Sequence, residues 1–225
     1  MEKWLDTNHV WFPCMKNKNL PNGLLILTEK TNEFSFFDDD EHDIYSVNFP
    51  ELNSITQLAS NLWMVLSKFW SKKSWKVIAH GSSTWVFYEL LLLIRADKKQ
   101  LPEMVIISCF PSPTLPSANF LWTGLKDHSE GIKKIFDYKL KNRQSFETIS
   151  ATLIWSKFDR WTRQDMMNKW MEVFPSTIDK QIFNHSPSSI NDDTEVRFIW
   201  IRLIKKCIRT DGLKCNYMWS SEDYI

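Results

Sequence analysis

The residues with the greatest capacity for chemistry fall in one stretch, Lys76-Val77-Ile78-Ala79-His80-Gly81-Ser82-Ser83-Thr84-Trp85-Val86-Phe87-Tyr88-Glu89-Leu90. Two hydroxyls, Ser82 and Ser83, follow the imidazole of His80 where the small apolar run Val77-Ile78-Ala79 meets a helical pattern. A hydroxyl on such a turn could attack a carbonyl carbon. An abrupt strand-to-helix turn lifts a side chain clear of the sheet, and the helix N-terminus behind it favours negative charge. The same residues have structural readings. Ser82 and Ser83 can cap the helix, and His80 reads as a packed histidine rather than a base.

Other clusters offer less. Asp38-Asp39-Asp40-Glu41-His42-Asp43 reads as a solvated loop, because consecutive side chains rarely converge on one metal ion without a shaping glycine. His9, His42 and His128 have no companions at ligand spacing, and Lys126-Asp127-His128 reads as solvated. Cys14, Cys109, Cys207 and Cys215 form no CxxC pair and read as reduced thiols of a cytoplasmic protein. The net charge of +1 gives no reason to expect nucleic acid or an anionic membrane surface as partner. The longest apolar run, Leu90 to Ile94, is far too short to span a bilayer, and Met1 to Asp6 lacks the pattern of a signal peptide.

The elements that must position these residues alternate in type. Strands are expected at Gly23–Thr28, Ile44–Phe49, Lys76–Ala79, Met104–Phe110, Ile149–Trp155 and Asp179–Asn184, with Val10-Trp11-Phe12 as a possible edge. A helix capped by Asn53 or Ser54 carries Ile55, Leu58, Leu62, Val65, Leu66 and Phe69 on one face and closes at Lys72-Lys73. Trp85, Tyr88, Leu91 and Leu92 repeat at helical spacing after the central turn, with Arg95 at the end. Further helices are expected over Gly131–Lys141, Thr162–Val173, and from Asp192 or Asp193 through Val196, Ile199, Trp200, Leu203, Ile204 and Cys207. This alternation predicts an α/β fold with a mostly parallel central sheet and helices on both faces. A length of 225 residues with 43% hydrophobic content suits a single domain, 1–225. Five glycines are few for sites built on tight turns, and twelve tryptophans are many. The tryptophans read as core and helix-face packing, with an apolar partner or acyl surface as the alternative.

Anchored on Tyr88-Glu89-Leu90, the central turn resembles that of the type II thioesterases, which serve nonribosomal peptide, polyketide and fatty-acid synthases. Their elbow reads Gly-His-Ser-x-Gly and precedes a helix containing Phe-Glu-Leu. It falls here on Ala79-His80-Gly81-Ser82-Ser83. His80 matches, but Gly81 stands at the nucleophile position, and Ala79 and Ser83 replace the glycines. The resemblance covers roughly residues 20–208 and implies an α/β-hydrolase fold with a short lid at about 117–147. The loop Glu29–Phe34 stands where the family supplies an oxyanion-hole N–H, without the usual glycine. Asp159 matches the triad acid after its strand, Trp170 the tryptophan of the following helix, and His185 falls within one residue of the triad histidine. Such an enzyme needs no cofactor and no metal. Its implied partners are an acyl thioester and an acyl carrier protein or synthase.

Three readings stay open. In the first the fold is kept, hydrolysis is lost and binding remains, because Gly81 has no nucleophile. In the second a displaced Ser82 attacks, with His185 and Asp159 as partners. In the third the chain is a structural or partner-binding subunit without acyl chemistry. Asp159 could simply cap the helix around Thr162, and His185 could be an ordinary loop histidine.

Overall fold

The computed structural model describes residues 14–16, 18–28, 40–47, 49, 54–115, 138–159, 162–175, 178–187 and 189–209. Short, continuously apolar segments form the strands: β1 (Cys14–Lys16), β2 (Asn22–Leu27), β3 (Asp43–Val47), β4 (Ser74–His80), β5 (Met104–Ser108), β6 (Ser150–Ser156) and β7 (Ile178–Phe183). They make one seven-stranded sheet in the order β1-β3-β2-β4-β5-β6-β7. β1 runs antiparallel to β3, and every other neighbouring pair is parallel. The helices are α1 (Ile55–Leu66), α2 (Ser83–Ala96), α3 (Gln164–Asn168), α4 (Ser189–Asp192) and α5 (Thr194–Arg209).

Side chains alternate across the sheet, so each strand feeds two apolar layers. Leu25, Leu27, Val77, Ala79, Val105, Ile107 and Leu153 pack with α1, α2 and the residues around Trp170. Leu24, Ile26, Ile78, Ile106 and Ile154 pack with Val196, Trp200, Leu203 and Ile204 of α5. The expected α/β architecture is the observed one. Among the described residues, no helix is long and apolar enough to cross a membrane.

Several local expectations change. The edge strand placed at Val10-Trp11-Phe12 lies outside the described residues, and β1 follows it at Cys14. α1 begins as expected, with the Ser54 hydroxyl accepting from the Gln57 N–H at 3.2 Å, but it ends at Leu66. Lys73 therefore does not close it. The helix expected over Thr162–Val173 is instead α3 followed by a 3-10 turn, Lys169–Glu172. Asp193 caps α5, accepting from the N–H of Glu195 at 2.8 Å and of Val196 at 3.2 Å.

The acidic run divides. Asp40 and Glu41 are exposed, whereas His42 and Asp43 are buried. The Asp43 carboxylate accepts from Lys73 Nζ at 2.7 Å and from the backbone N–H of Lys18 at 2.7 Å and Leu20 at 3.2 Å. Lys73 Nζ also donates to the Leu20 carbonyl at 2.6 Å. One ion pair thus ties the starts of β3 and β4 to the loop before β2. Burial pushes the Asp43 carboxyl upward, but the hydrogen bonds from Lys73, Lys18 and Leu20 and the Lys73 charge outweigh it, so the group titrates below its ordinary value.

Beside this pair lies an aromatic cluster. Trp70 and Trp75 stack with centroids 4.6 Å apart and planes at 4°, and Tyr45 and Phe69 close the group. Gly23 is the cross-strand neighbour of Trp75, and a Cβ there would sit 2.7 Å from the indole ring.

Lys73→Met strands a buried carboxylate and should cost about 3–5 kcal/mol in urea unfolding. Because the native carboxyl titrates below the unfolded one, the Asp43 contribution is complete above about pH 4 and lost as pH falls through the native value. Asp43→Asn should flatten that acid limb of the stability curve. Gly23→Ala should cost about 1–3 kcal/mol by overpacking, and Trp75→Phe in the same chain should return part of it in a double-mutant cycle.

Candidate functional site at the carboxyl edge of the sheet

The chain leaves β4 at His80, turns at Gly81 with φ 63°, and is already helical at Ser82, with φ −64° and ψ −20°. A left-handed backbone costs an L side chain about 1–2 kcal/mol and costs glycine little. The Gly81 N–H donates to the Ser108 carbonyl at 3.0 Å, carrying the β4–β5 ladder one residue beyond the strand. The Gly81 carbonyl accepts from the Thr84 N–H at 3.2 Å and the Thr84 hydroxyl at 2.9 Å.

Neither serine caps α2 with its side chain, which corrects the capping expectation. Ser82 occupies the N-cap position without a side-chain capping bond. The buried Ser83 hydroxyl lies 2.6 Å from both the Leu27 and His80 carbonyls, sharing one proton between the ends of β2 and β4. His80 is a packed histidine, as expected. Its Nδ1 is 3.1 Å from the Ser108 hydroxyl, and its ring meets Trp200 edge-on at 5.1 Å. The Trp200 indole N–H donates to the same hydroxyl at 3.3 Å.

Cys109 lies one residue past β5, with φ 54° and its N–H donating to the Ile154 carbonyl at 2.9 Å. Burial pushes its thiol up to about 12, and the negative charge of Asp159 acts in the same direction. Such a buried thiol is held in its protonated, weakly reactive form at neutral pH.

Asp159 follows β6. Its N–H donates to the Ser156 carbonyl at 3.2 Å, and its Oδ1 accepts from the Thr162 N–H at 3.1 Å, closing a turn. His185 follows β7. Its carbonyl accepts from the Ser156 hydroxyl at 2.5 Å, and its ring lies 5.3 Å from that of Phe183. The strand ends are aligned, with His80 opposite Ser108 and Ser156 opposite Phe183. Gly81, Ser82, Asp159 and His185 therefore share the carboxyl edge of the sheet. Among the described residues, no hydrogen bond or ion pair joins the His185 ring to Asp159 or Ser82, and no cluster of three or more His, Cys, Asp or Glu could hold a metal.

Two bridging hydroxyls at this edge escaped sequence reasoning, those of Ser108 and Ser156. Each is the last residue of an apolar strand, and each hydroxyl crosses to a neighbouring strand end. A polar residue closing an apolar run was the available signal.

The returning segment after the lid region is held on α2. Trp85 donates to the Pro111 carbonyl at 2.7 Å and packs on Phe110 and Tyr138 at 5.4 and 5.2 Å. The Tyr138 hydroxyl donates to Glu89 at 2.5 Å, and that of Tyr88 to the Asn142 carbonyl at 2.9 Å. Residues 138–141 are not helical, against the helix expected to run through Lys141. Residues 131–137 of that helix, residues 117–137 of the expected lid and the loop Glu29–Phe34 lie outside the described residues.

No family model matches the sequence, and no curated protein matches it. Solved structures do match in three dimensions. The thioesterase RedJ of the prodiginine pathway of Streptomyces coelicolor superposes with a TM-score of 0.71 at 13% identity, over 85% of this chain and 92% of that one. The type II thioesterase BorB of the borrelidin cluster gives 0.67 at 14% identity, over 89% and 97%. Human thioesterase 2 gives 0.61 at 12% identity, over 88% and 100%. The chain has the α/β-hydrolase fold of the type II thioesterases. In α/β-hydrolases the nucleophile stands on the strained strand-to-helix turn, and acid and histidine follow in chain order. The strained residue of the β4–α2 turn is Gly81.

At the opposite, amino edge of this α/β-hydrolase sheet lies a cleft of about 260 Å³ lined by residues of both charges, among them Glu41, Lys76, Glu103 and Arg209. Lys76 Nζ there donates to the Ile208 carbonyl at 3.0 Å.

Cys109 provides the test of this geometry. Peptide mapping after alkylation should find it unmodified in the folded protein up to mildly alkaline pH and fully modified once urea exposes it.

Proposed function

We propose that this chain is a single-domain, thioesterase-like α/β-hydrolase that no longer hydrolyses acyl thioesters and acts by binding an acyl chain, a carrier protein or a synthase. The observation that carries this reading is the backbone at residue 81. The turn that should present a nucleophile has its left-handed φ on Gly81, and the next residue, Ser82, stands at the N-cap of α2 with right-handed helical backbone angles. A hydroxyl one residue further on leaves the chain in another direction, and a misplacement of ~1 Å at the attacking atom costs about a hundredfold in rate. Loss of the nucleophile removes several powers of ten.

The acyl-thioester class is supported by the similar structures, which are a thioesterase of the prodiginine biosynthetic pathway and a type II thioesterase of the borrelidin biosynthetic cluster. The buried thiol of Cys109 fits a cytoplasmic protein.

Turnover of short and medium acyl thioesters by the purified protein tests the reading, with Ser82→Ala alongside. Both proteins should be folded and equally silent, and the wild type should bind an acylated carrier protein in a titration. Turnover abolished by Ser82→Ala would sink the reading and make Ser82 the nucleophile, with His185 and Asp159 as partners.

A further inference from the structure

Among the described residues β7 is the last strand of the sheet, so one side of its backbone faces no neighbouring strand. Such an edge is a template for another strand. The ladder decides which groups face outward. The Phe183 carbonyl accepts from the Lys157 N–H at 3.0 Å, on the β6 side. Backbone groups alternate along a strand, so those of Asp179, Gln181 and Phe183 face β6, and those of Ile178, Lys180 and Ile182 face out.

The outward N–H of Lys180 already has an acceptor. It donates to Oδ1 of Asp179, its own neighbour, at 2.9 Å. The other carboxylate oxygen accepts from Gln181 Nε2 at 3.0 Å, and Gln181 is buried. The carboxylate is thus pinned against the open edge from within. Apolar surface lies close by. Ile182 is 44% exposed on the same strand, and Phe158 is 56% exposed in the loop after β6. An open edge bordered by apolar side chains is a site for self-association.

We propose that Asp179 is an edge guard that prevents β7 from pairing with β7 of a second copy of this chain. The pairing it blocks would be antiparallel and two-fold, with the same residues on both sides. An incoming carbonyl would have to displace the carboxylate from the Lys180 N–H and would meet its negative charge while losing water. The inference is independent of acyl chemistry.

Sedimentation velocity over a wide concentration range tests it on the full chain. Wild type and Lys180→Ala should stay monomeric, and Asp179→Ala should associate as concentration rises. A monomeric Asp179→Ala at every concentration, a wild type already joined through β7, or equal association of Lys180→Ala would overturn the proposal. If Asp179→Ala does not fold, amide exchange on the wild type decides. The Lys180 N–H should exchange about tenfold more slowly than the outward Ile182 N–H, and equal rates would remove the guard.

Discussion

A chain that leaves a parallel strand buried at its carboxyl end and enters a helix within two residues reverses here through left-handed backbone, and Gly81 meets that condition. The rest of the carboxyl edge depends on this turn. It leaves the Gly81 N–H on the Ser108 carbonyl, so the β4–β5 ladder continues past the strand. It turns the Ser83 hydroxyl inward onto the ends of β2 and β4. It also sets the direction of α2, whose Trp85, Tyr88 and Glu89 hold the segment returning at Tyr138 to Gln144.

Indole N–H groups do much of the loop fixing. Trp70 donates to the Gln100 carbonyl, Trp85 to that of Pro111, Trp155 to that of Thr162 and Trp170 to that of Phe110. A buried indole must find an acceptor or lose the hydrogen bond that water gave it. Each therefore ties a loop carbonyl to the core while burying a large ring. In the described residues this accounts for the high tryptophan content as packing. Few glycines are then needed, because the loops are held from inside rather than closed by tight turns.

The ends of the strands show how side chains of catalytic type are used locally. Asp159 closes a turn onto Thr162, and His80 packs between Ser108 and Trp200. Hydroxyl bridges run along the aligned strand ends: Ser83 joins β2 and β4, Ser108 joins β5 to His80 of β4, and Ser156 joins β6 to His185 after β7. Those bridges tie the carboxyl ends of neighbouring strands together.

Sequence alone determined the α/β class and the order of the strands, since parallel strands covered on both faces read as unbroken apolar runs. It also located the strand-to-helix turn and the packed character of His80, since these rest on neighbours a few residues away. Tertiary structure decided what depends on partners distant in the chain. Lys73, expected at a helix end, pairs with Asp43 because β3 and the start of β4 meet at the loop before β2. Ser83, expected as a cap, bonds instead to Leu27, 56 positions away. The 3-10 turn after α3 keeps a helix-like pattern of buried residues, so its spacing could not reveal the break. Gly81, already the elbow position in the sequence, carries the left-handed φ, while the pairing of His80 with Ser108 that brings β4 up to it is a contact between residues 28 positions apart.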